Sequence, residues 1–396
     1  AATRGQADPF TGSLKEASEE LERLLGKAVR EQMVADVELG AFLSAGIDSS
    51  TVVSLMQARS ERKVKTFTIG MEEEGYDEAK AAEQIARHLG TEHTTLYITQ
   101  KDAKEVLPKL AGMFGEPFAD SSQIPTYLVS SLTRRHVTVS LSGDGGDELF
   151  CGYGAYASIG QAWERIRKIP LPLRKTLGKA LCEGPLSGTE KNRIRGMLLG
   201  ADTPEELYRR SDLSEPFLGK LTVTPGRAKC AFDEYPDGLL PGTYNNLMLM
   251  DLLMYHPDDI LTKVDRTAMA VSLETRIPML DRDVVEFAWK LPPSLKRDRD
   301  TGKLVLREVL YRHVPKELMD RPKKGFSIPV RQWLKEPGLS DWAQGLLEER
   351  KICREGYFDP AAVKRLREDF WQRGIWRKQI WFLLQFEQWL EKEKRG

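Results

Sequence analysis

The chain has 396 residues, more than one compact domain usually holds, and its 41% hydrophobic and 30% charged residues are the make-up of an ordinary globular protein. Lys plus Arg and Asp plus Glu number 59 each, so no global field draws it to nucleic acid or to an anionic membrane. No apolar run approaches the roughly 20 residues of a membrane span, and the cysteines, Cys151, Cys182, Cys230 and Cys353, form no C-x-x-C pair, which argues against a disulfide framework or structural zinc and for a reducing cytoplasm.

In chain order, the opening "AATRGQADPFTGS" lacks the apolar core of a signal peptide and a starting Met, so the chain is expected to be a fragment or a processed product, with residues 1–12 a linker remnant. Residues 13–33 follow as an amphipathic helix with Leu14, Ala17, Leu21, Leu24 and Ala28 on one stripe. Strand-like runs then end at Leu43, near Ile69, near Ile98 and at Leu141, and helical patterns at 49–58, 76–89, 101–114 and 123–135 lie between them. This alternation predicts an α/β fold, a doubly wound parallel sheet over 13–155. After about residue 150 the strand signals fade into helices broken by Pro and Gly, so 156–396 reads as a mostly helical region. Its last segment, "FWQRGIWRKQIWFLLQFEQWL", carries an aromatic stripe at helical spacing that reads as core.

Two loops stand out. "LSAGIDSS" places small residues between a strand end and a helix start, where exposed backbone N–H groups and the helix dipole favour an anion. Asp48 is out of place beside an anion unless a divalent cation bridges it to phosphate oxygens. "LSGDGGDELF", from Leu141 to Phe150, repeats the pattern after the fourth strand. Alone, the first loop reads equally as a capped turn, and the second reads as a solvated Asp/Gly turn. As a pair they differ: in strand order 3-2-1-4-5, strands one and four flank the switch point where a ligand crevice opens, and Asp48 and Asp147 would face each other across it.

"LSAGIDSS" resembles the pyrophosphate-binding loop S-G-G-x-D-S of the N-type ATP pyrophosphatases. "LSGDGGDELFCGY", "LTKVDRTAMAVSLETRIPMLD" (261–281) and "RPKKGFSIPVRQWL" (321–334) resemble the synthetase domain of glutamine-dependent asparagine synthetases, in order from about residue 13 to the C-terminus. The resemblance implies that ATP and Mg2+ are used to convert the aspartate side-chain carboxylate to an acyl-adenylate, with release of pyrophosphate, and that ammonia then forms the amide. It also implies site residues: Ser44, Gly46, Asp48, Ser49 and Ser50 on pyrophosphate; Leu43, Ile69, Ser142 and Gly143 around adenosine; Asp48 and Asp147 on magnesium; and Lys323, Asp144 and Glu148 as catalytic groups. Lys324 could share the role of Lys323, and "RPKK" by itself reads as a solvated basic turn. Lys263, Asp265, Arg266, Glu274, Arg276 and Asp281 form a polar set that borders the acceptor pocket in that family, or else a solvated face with ion pairs.

Three departures from the family pattern are present. Ala45 replaces the middle loop glycine, which costs on the order of 1 kcal/mol if that residue needs positive φ and almost nothing otherwise. Asp144 stands where many members carry Glu, and Cys151 replaces a common Gly, with packing rather than catalysis its expected role. The family's glutaminase half, with its N-terminal cysteine nucleophile, has no counterpart here: residue 1 is Ala, and only 43 residues precede Ser44. Ammonia is therefore expected from solution or from a glutaminase portion cut away before the linker-like "ADPFTGS". Aspartate and ammonia are the expected small-molecule partners, no nucleic acid or membrane is expected, and a homodimer is left open. A related enzyme acting on a sugar acid, a β-lactam precursor or a peptide macrolactam precursor remains an alternative, which residues 245–281 decide. A non-catalytic nucleotide-binding scaffold is the reading from another class, and the joint presence of Asp48, Asp147 and Lys323 speaks against it.

Overall fold

The computed structural model describes residues 1–71, 78–184, 190–211, 221–224, 230–320 and 328–395. Helix α1 (Ala2–Ala7) precedes α2 (Leu14–Gln32), whose start is fixed by a capping box: the Ser13 amide donates to Glu16 Oε2 at 2.7 Å, and the Glu16 amide donates to Ser13 Oγ at 3.3 Å. Ala17, Leu21, Leu24 and Ala28 are buried as their spacing predicts. Residues 1–12, read as a linker, instead dock on the helix Arg282–Lys290. Gly5 lies so close to the Trp289 backbone that a Cβ would come within 2.7 Å of it, and Gln6 donates to the Trp289 carbonyl at 2.6 Å.

The centre is a sheet of β1 (Leu39–Phe42), β2 (Lys65–Met71), β3 (Glu92–Ile98), β4 (Val139–Leu141) and β5 (Glu274–Arg276) in the order β3-β2-β1-β4-β5, every neighbouring pair parallel. The helices α3 (Ile47–Gln57), α4 (Ala79–Leu89), α5 (Gln100–Met113) and α6 (Gln123–Arg134) are its crossovers. Gly90, at φ 74°, ends α4 in the left-handed region that glycine adopts without strain. One hydrophobic core, with Leu21, Leu25, Ala41, Val53 and Ile85, covers one face. A second, with Phe67, Ile98, Leu110 and Ile124, covers the other. The sheet is thus apolar on both sides, as a parallel sheet requires.

The fifth strand departs from the expectation that strands end near residue 150. Glu274–Arg276 is short and polar, so it carries no strand pattern, and its place comes from pairing with β4 in register, Val139 with Glu274 and Leu141 with Arg276. The other described residues after β4 are mostly helical, as expected, and the aromatic stripe is core: Phe370, Ile380, Trp381 and Leu384 are buried against the face carrying α5 and α6. Among the described residues, no helix is long and apolar enough to cross a membrane.

Candidate active site

The C-terminal ends of β1 and β4 open into a cavity of about 560 Å³, large enough for a nucleotide. Gly46 caps α3 in extended backbone (φ −83°, ψ 157°). The turn before it is braced from inside: the Ser44 amide donates to Ser49 Oγ at 3.1 Å, the two hydroxyls lie 2.8 Å apart, and the Gly46 amide donates to Ser44 Oγ at 3.1 Å. Ala45 is not among the residues with positive φ, so its methyl group is accommodated without backbone strain.

The β4 loop lies directly on this turn. A Cβ on Gly143 would stand 2.5 Å from the Ser49 amide nitrogen, and one on Gly146 would stand 2.4 Å from Asp48 Oδ1. Gly145, at φ 94°, starts the short helix α7 (Gly146–Leu149) that carries Asp147 and Glu148. Leu43, Ser44, Gly46, Asp48, Ser49, Ile69, Ser142, Gly143, Asp144, Asp147 and Glu148 all line the cavity, whereas Ser50 is fully buried and does not. Lys323 and Lys324 lie outside the described residues.

Asp48 and Asp147 converge on one cation, the ammonium of Lys303, which was not anticipated from sequence. Lys303 Nζ donates to Asp48 Oδ2 and lies 2.9 Å from Asp147 Oδ1. Burial of this ammonium would lower its pKa, but the two carboxylates outweigh that and raise it. Two carboxylates aimed at a single cationic point are also what a phosphate-bound magnesium ion needs from a protein, so the donor chemistry fits the ion provided Lys303 yields its place. Among the described residues no group of three metal-ligating side chains occurs.

Asp144 accepts a hydrogen bond from Ser142 Oγ at 2.5 Å, and burial holds its carboxyl above the usual range. Glu148, 2% exposed, accepts from Tyr153 Oη at 2.6 Å and lies 3.3 Å from Nδ1 of the buried His256. Burial, then the Glu148 charge, drives the Tyr153 phenol far above its ordinary value, so it stays a donor. Also at the cavity, Lys263 Nζ donates to Asp120 Oδ2 at 2.5 Å and sits 3.7 Å from Asp259 Oδ1. Burial and the Asp120 charge push Asp259 up to about 7.

Of the polar set in 261–281, only Lys263 lines the cavity. Asp265 and Arg266 form an exposed ion pair, and Glu274 pairs with Arg276, which donates to the carbonyls of Gln32 and Val34. Asp281 caps the helix Arg282–Lys290 through the Asp283 amide at 2.9 Å. Cys151 is fully buried in the core, and burial raises its thiol pKa although Arg297 lies 3.8 Å away.

Comparison with known proteins agrees with this geometry. The family described as Asparagine synthase matches residues 20–391. The chain is 33% identical over 388 residues to the glutamine-hydrolysing asparagine synthetase 1 of Bacillus subtilis (strain 168), covering 93% of this chain and 58% of that protein. It is 33% identical over 395 residues to a Mycobacterium bovis protein whose provisional name is also glutamine-hydrolysing asparagine synthetase (98% of this chain, 59% of that protein). It is 24% identical over 370 residues to the glutamine-hydrolysing asparagine synthetase of Bos taurus (89% and 51%). The chain therefore spans less than two thirds of the length of these relatives. With the family match running over nearly all of the chain and the β1 and β4 loops meeting at the switch point, the chain belongs to the asparagine synthase family.

Proposed function

We propose that this chain is an ATP-dependent amide ligase that activates the side-chain carboxylate of aspartate and joins it to ammonia. The observation that supports it most directly is the meeting of two acidic loops of small residues beside a nucleotide-sized cavity at the switch point of the sheet. In this reading a carboxylate oxygen attacks the α-phosphorus of ATP, the bond from that phosphorus to the α–β bridging oxygen breaks, and pyrophosphate leaves with the electron pair. Ammonia then attacks the acyl carbon, AMP leaves with the acyl C–O electron pair, and the nitrogen sheds a proton.

Catalysis of this kind rests on positioning and charge neutralisation. The N–H groups of the first turn of α3 and the hydroxyls of Ser44 and Ser49 would meet the pyrophosphate oxygens. Leu43 and Ile69 would give the base an apolar slot beside Ser142 and Gly143. Asp48 and Asp147 would hold magnesium, which supplies neutralisation of the phosphate charge. Lys323 would add a compact point charge on a long side chain. Asp144, held above the usual carboxylate range, is suited to take the proton that the nitrogen sheds, and Glu148 lines the same cavity. Glutamine hydrolysis, part of the relatives' names, would belong to the length of those proteins that this chain does not span.

The test is AMP and pyrophosphate release by the chain with MgATP, with and without aspartate and ammonium. Release that requires aspartate, with asparagine formed once ammonium is added, is the expected result. ATP binding with no response to aspartate would overturn the acceptor assignment, and absence of ATP binding would overturn the enzyme reading.

A further inference from the structure

The ammonium of Lys303 occupies the one point on which Asp48 and Asp147 both converge, and the surrounding backbone is shaped around it. Lys303 is 5% exposed and sits at φ 61°, in the left-handed region that side-chain-bearing residues rarely adopt. Its amide donates to the Phe150 carbonyl at 3.0 Å, which anchors the backbone to the end of the β4 loop. Gly152 leaves the space its stem uses: a Cβ there would lie 2.0 Å from Lys303 Cε and 2.2 Å from Asp147 Oδ1. A buried lysine held this way on a four-carbon stem is a cation built into the chain at the position where the proposed function needs a divalent one.

We infer that Lys303 is a tethered stand-in for the divalent cation: it pairs Asp48 and Asp147 in the nucleotide-free chain, keeps bare metal ions out, and yields its place only to metal that arrives on a nucleotide. This rests on the nucleotide reading of the site. The physical reason is charge pairing in a buried place. A bare divalent ion entering between the carboxylates must first break the two ion pairs that hold the buried ammonium, which is costly. Metal carried on a polyphosphate brings acceptor oxygens for the displaced ammonium, and Lys303 and the phosphate-cradling turn line the same cavity. Lys303 is thus a positioning residue that makes metal binding conditional on nucleotide.

The experiment titrates the full chain with Mn2+, with and without a non-hydrolysable ATP analogue, and measures the Mn2+ retained with the protein on ultrafiltration against the same mixture without protein. Wild type is expected to take up no Mn2+ at this site without nucleotide and to bind it with nucleotide. K303M and K303Q, which remove the ammonium from between the two carboxylates, are expected to bind one Mn2+ without nucleotide at least about tenfold more tightly than wild type. The gain should vanish in D147N/K303M. Circular dichroism establishes folding, and K303Q serves if K303M fails to fold. Nucleotide-free Mn2+ binding by wild type that D147N abolishes would sink the inference, as would folded K303 variants that gain none. If wild type fails to bind Mn2+ even with nucleotide, the nucleotide reading falls instead, and the two failures are told apart.

Discussion

Gly146 faces Asp48 so closely that a methyl group on it would stand 2.4 Å from Oδ1 of that carboxylate. A side chain at residue 146 would therefore have to displace the Asp48 carboxylate. Gly146→Ala should force Asp48 off the point it shares with Asp147. We expect a loss of about 1–3 kcal/mol in stability from overpacking and a fall of about 100-fold or more in AMP release from misplacement. Gly112, exposed near the end of α5 with nothing within 4 Å of a built Cβ, is the contrast: Gly112→Ala should add up to about 1 kcal/mol and leave activity unchanged. Equal effects of the two changes, in denaturation and turnover together, would contradict the loop-on-loop account.

Cys151 sits at φ 57°, a conformation that costs a side-chain-bearing residue about 1 kcal/mol or more and a glycine almost nothing. Cys151→Gly should therefore keep stability within about 1 kcal/mol of wild type despite the lost thiol packing. Cys151→Val, β-branched in the same backbone, should lose about 2 kcal/mol or more. Denaturant midpoints of the two variants decide it: a glycine variant less stable than the valine variant would show that volume, not backbone, governs the site.

Asp251 is 3% exposed and accepts hydrogen bonds from Tyr156 Oη at 2.6 Å and Tyr208 Oη at 2.8 Å. Burial nevertheless dominates and pushes its carboxyl from the ordinary 3.8 up to about 6. A raised acid holds its proton longer in the native chain than in the unfolded one. Its contribution to stability is therefore complete below about pH 4 and is lost as pH rises through about 6, some 2–3 kcal/mol in all. Asp251→Asn keeps an acceptor for the tyrosines and removes the ionisation. Urea midpoints at pH 4.5 and pH 7 should converge in the variant relative to wild type, and an unchanged pH slope would refute the assignment.

The proposed function gives Lys323 the phosphate-stabilising role that its resemblance to the family implies. Lys323→Ala should lower AMP release at saturating substrate by about 100-fold, the scale seen when one transition-state donor is removed. Lys324→Ala should lower it severalfold at most. The reverse ranking of the two variants in the same assay would move the role to Lys324.

Four strands, their order and the two loops were legible in the sequence because each rests on a local pattern: an apolar run, then small residues, then a helix start. β5 was not, because Glu274, Thr275 and Arg276 have no strand pattern of their own and owe their conformation to Val139–Leu141. Lys303 was missed for the same reason in another form. Its partner Asp48 is 255 residues away, and no spacing rule links them. The only cue was Gly302, the small residue ahead of a lysine that opens an apolar helix, Leu304–Leu310. Asp120 and Lys263 likewise meet only in three dimensions, 143 residues apart.

The distance between Asp48 and Lys303 also has a temporal meaning. On a ribosome adding about 5–20 residues per second, 255 residues correspond to something like 10–50 s. During that time the nascent chain carries the β1 loop without its internal counter-ion, and the β4 edge of the sheet lies open until Glu274–Arg276 emerges to cover it. Closure of the sheet and neutralisation of the acidic loops are thus late events in the life of the polypeptide, and its first 150 residues emerge with an uncovered edge strand of the kind that invites intermolecular pairing. An N-terminal fragment ending at residue 155 would keep that exposed edge permanently.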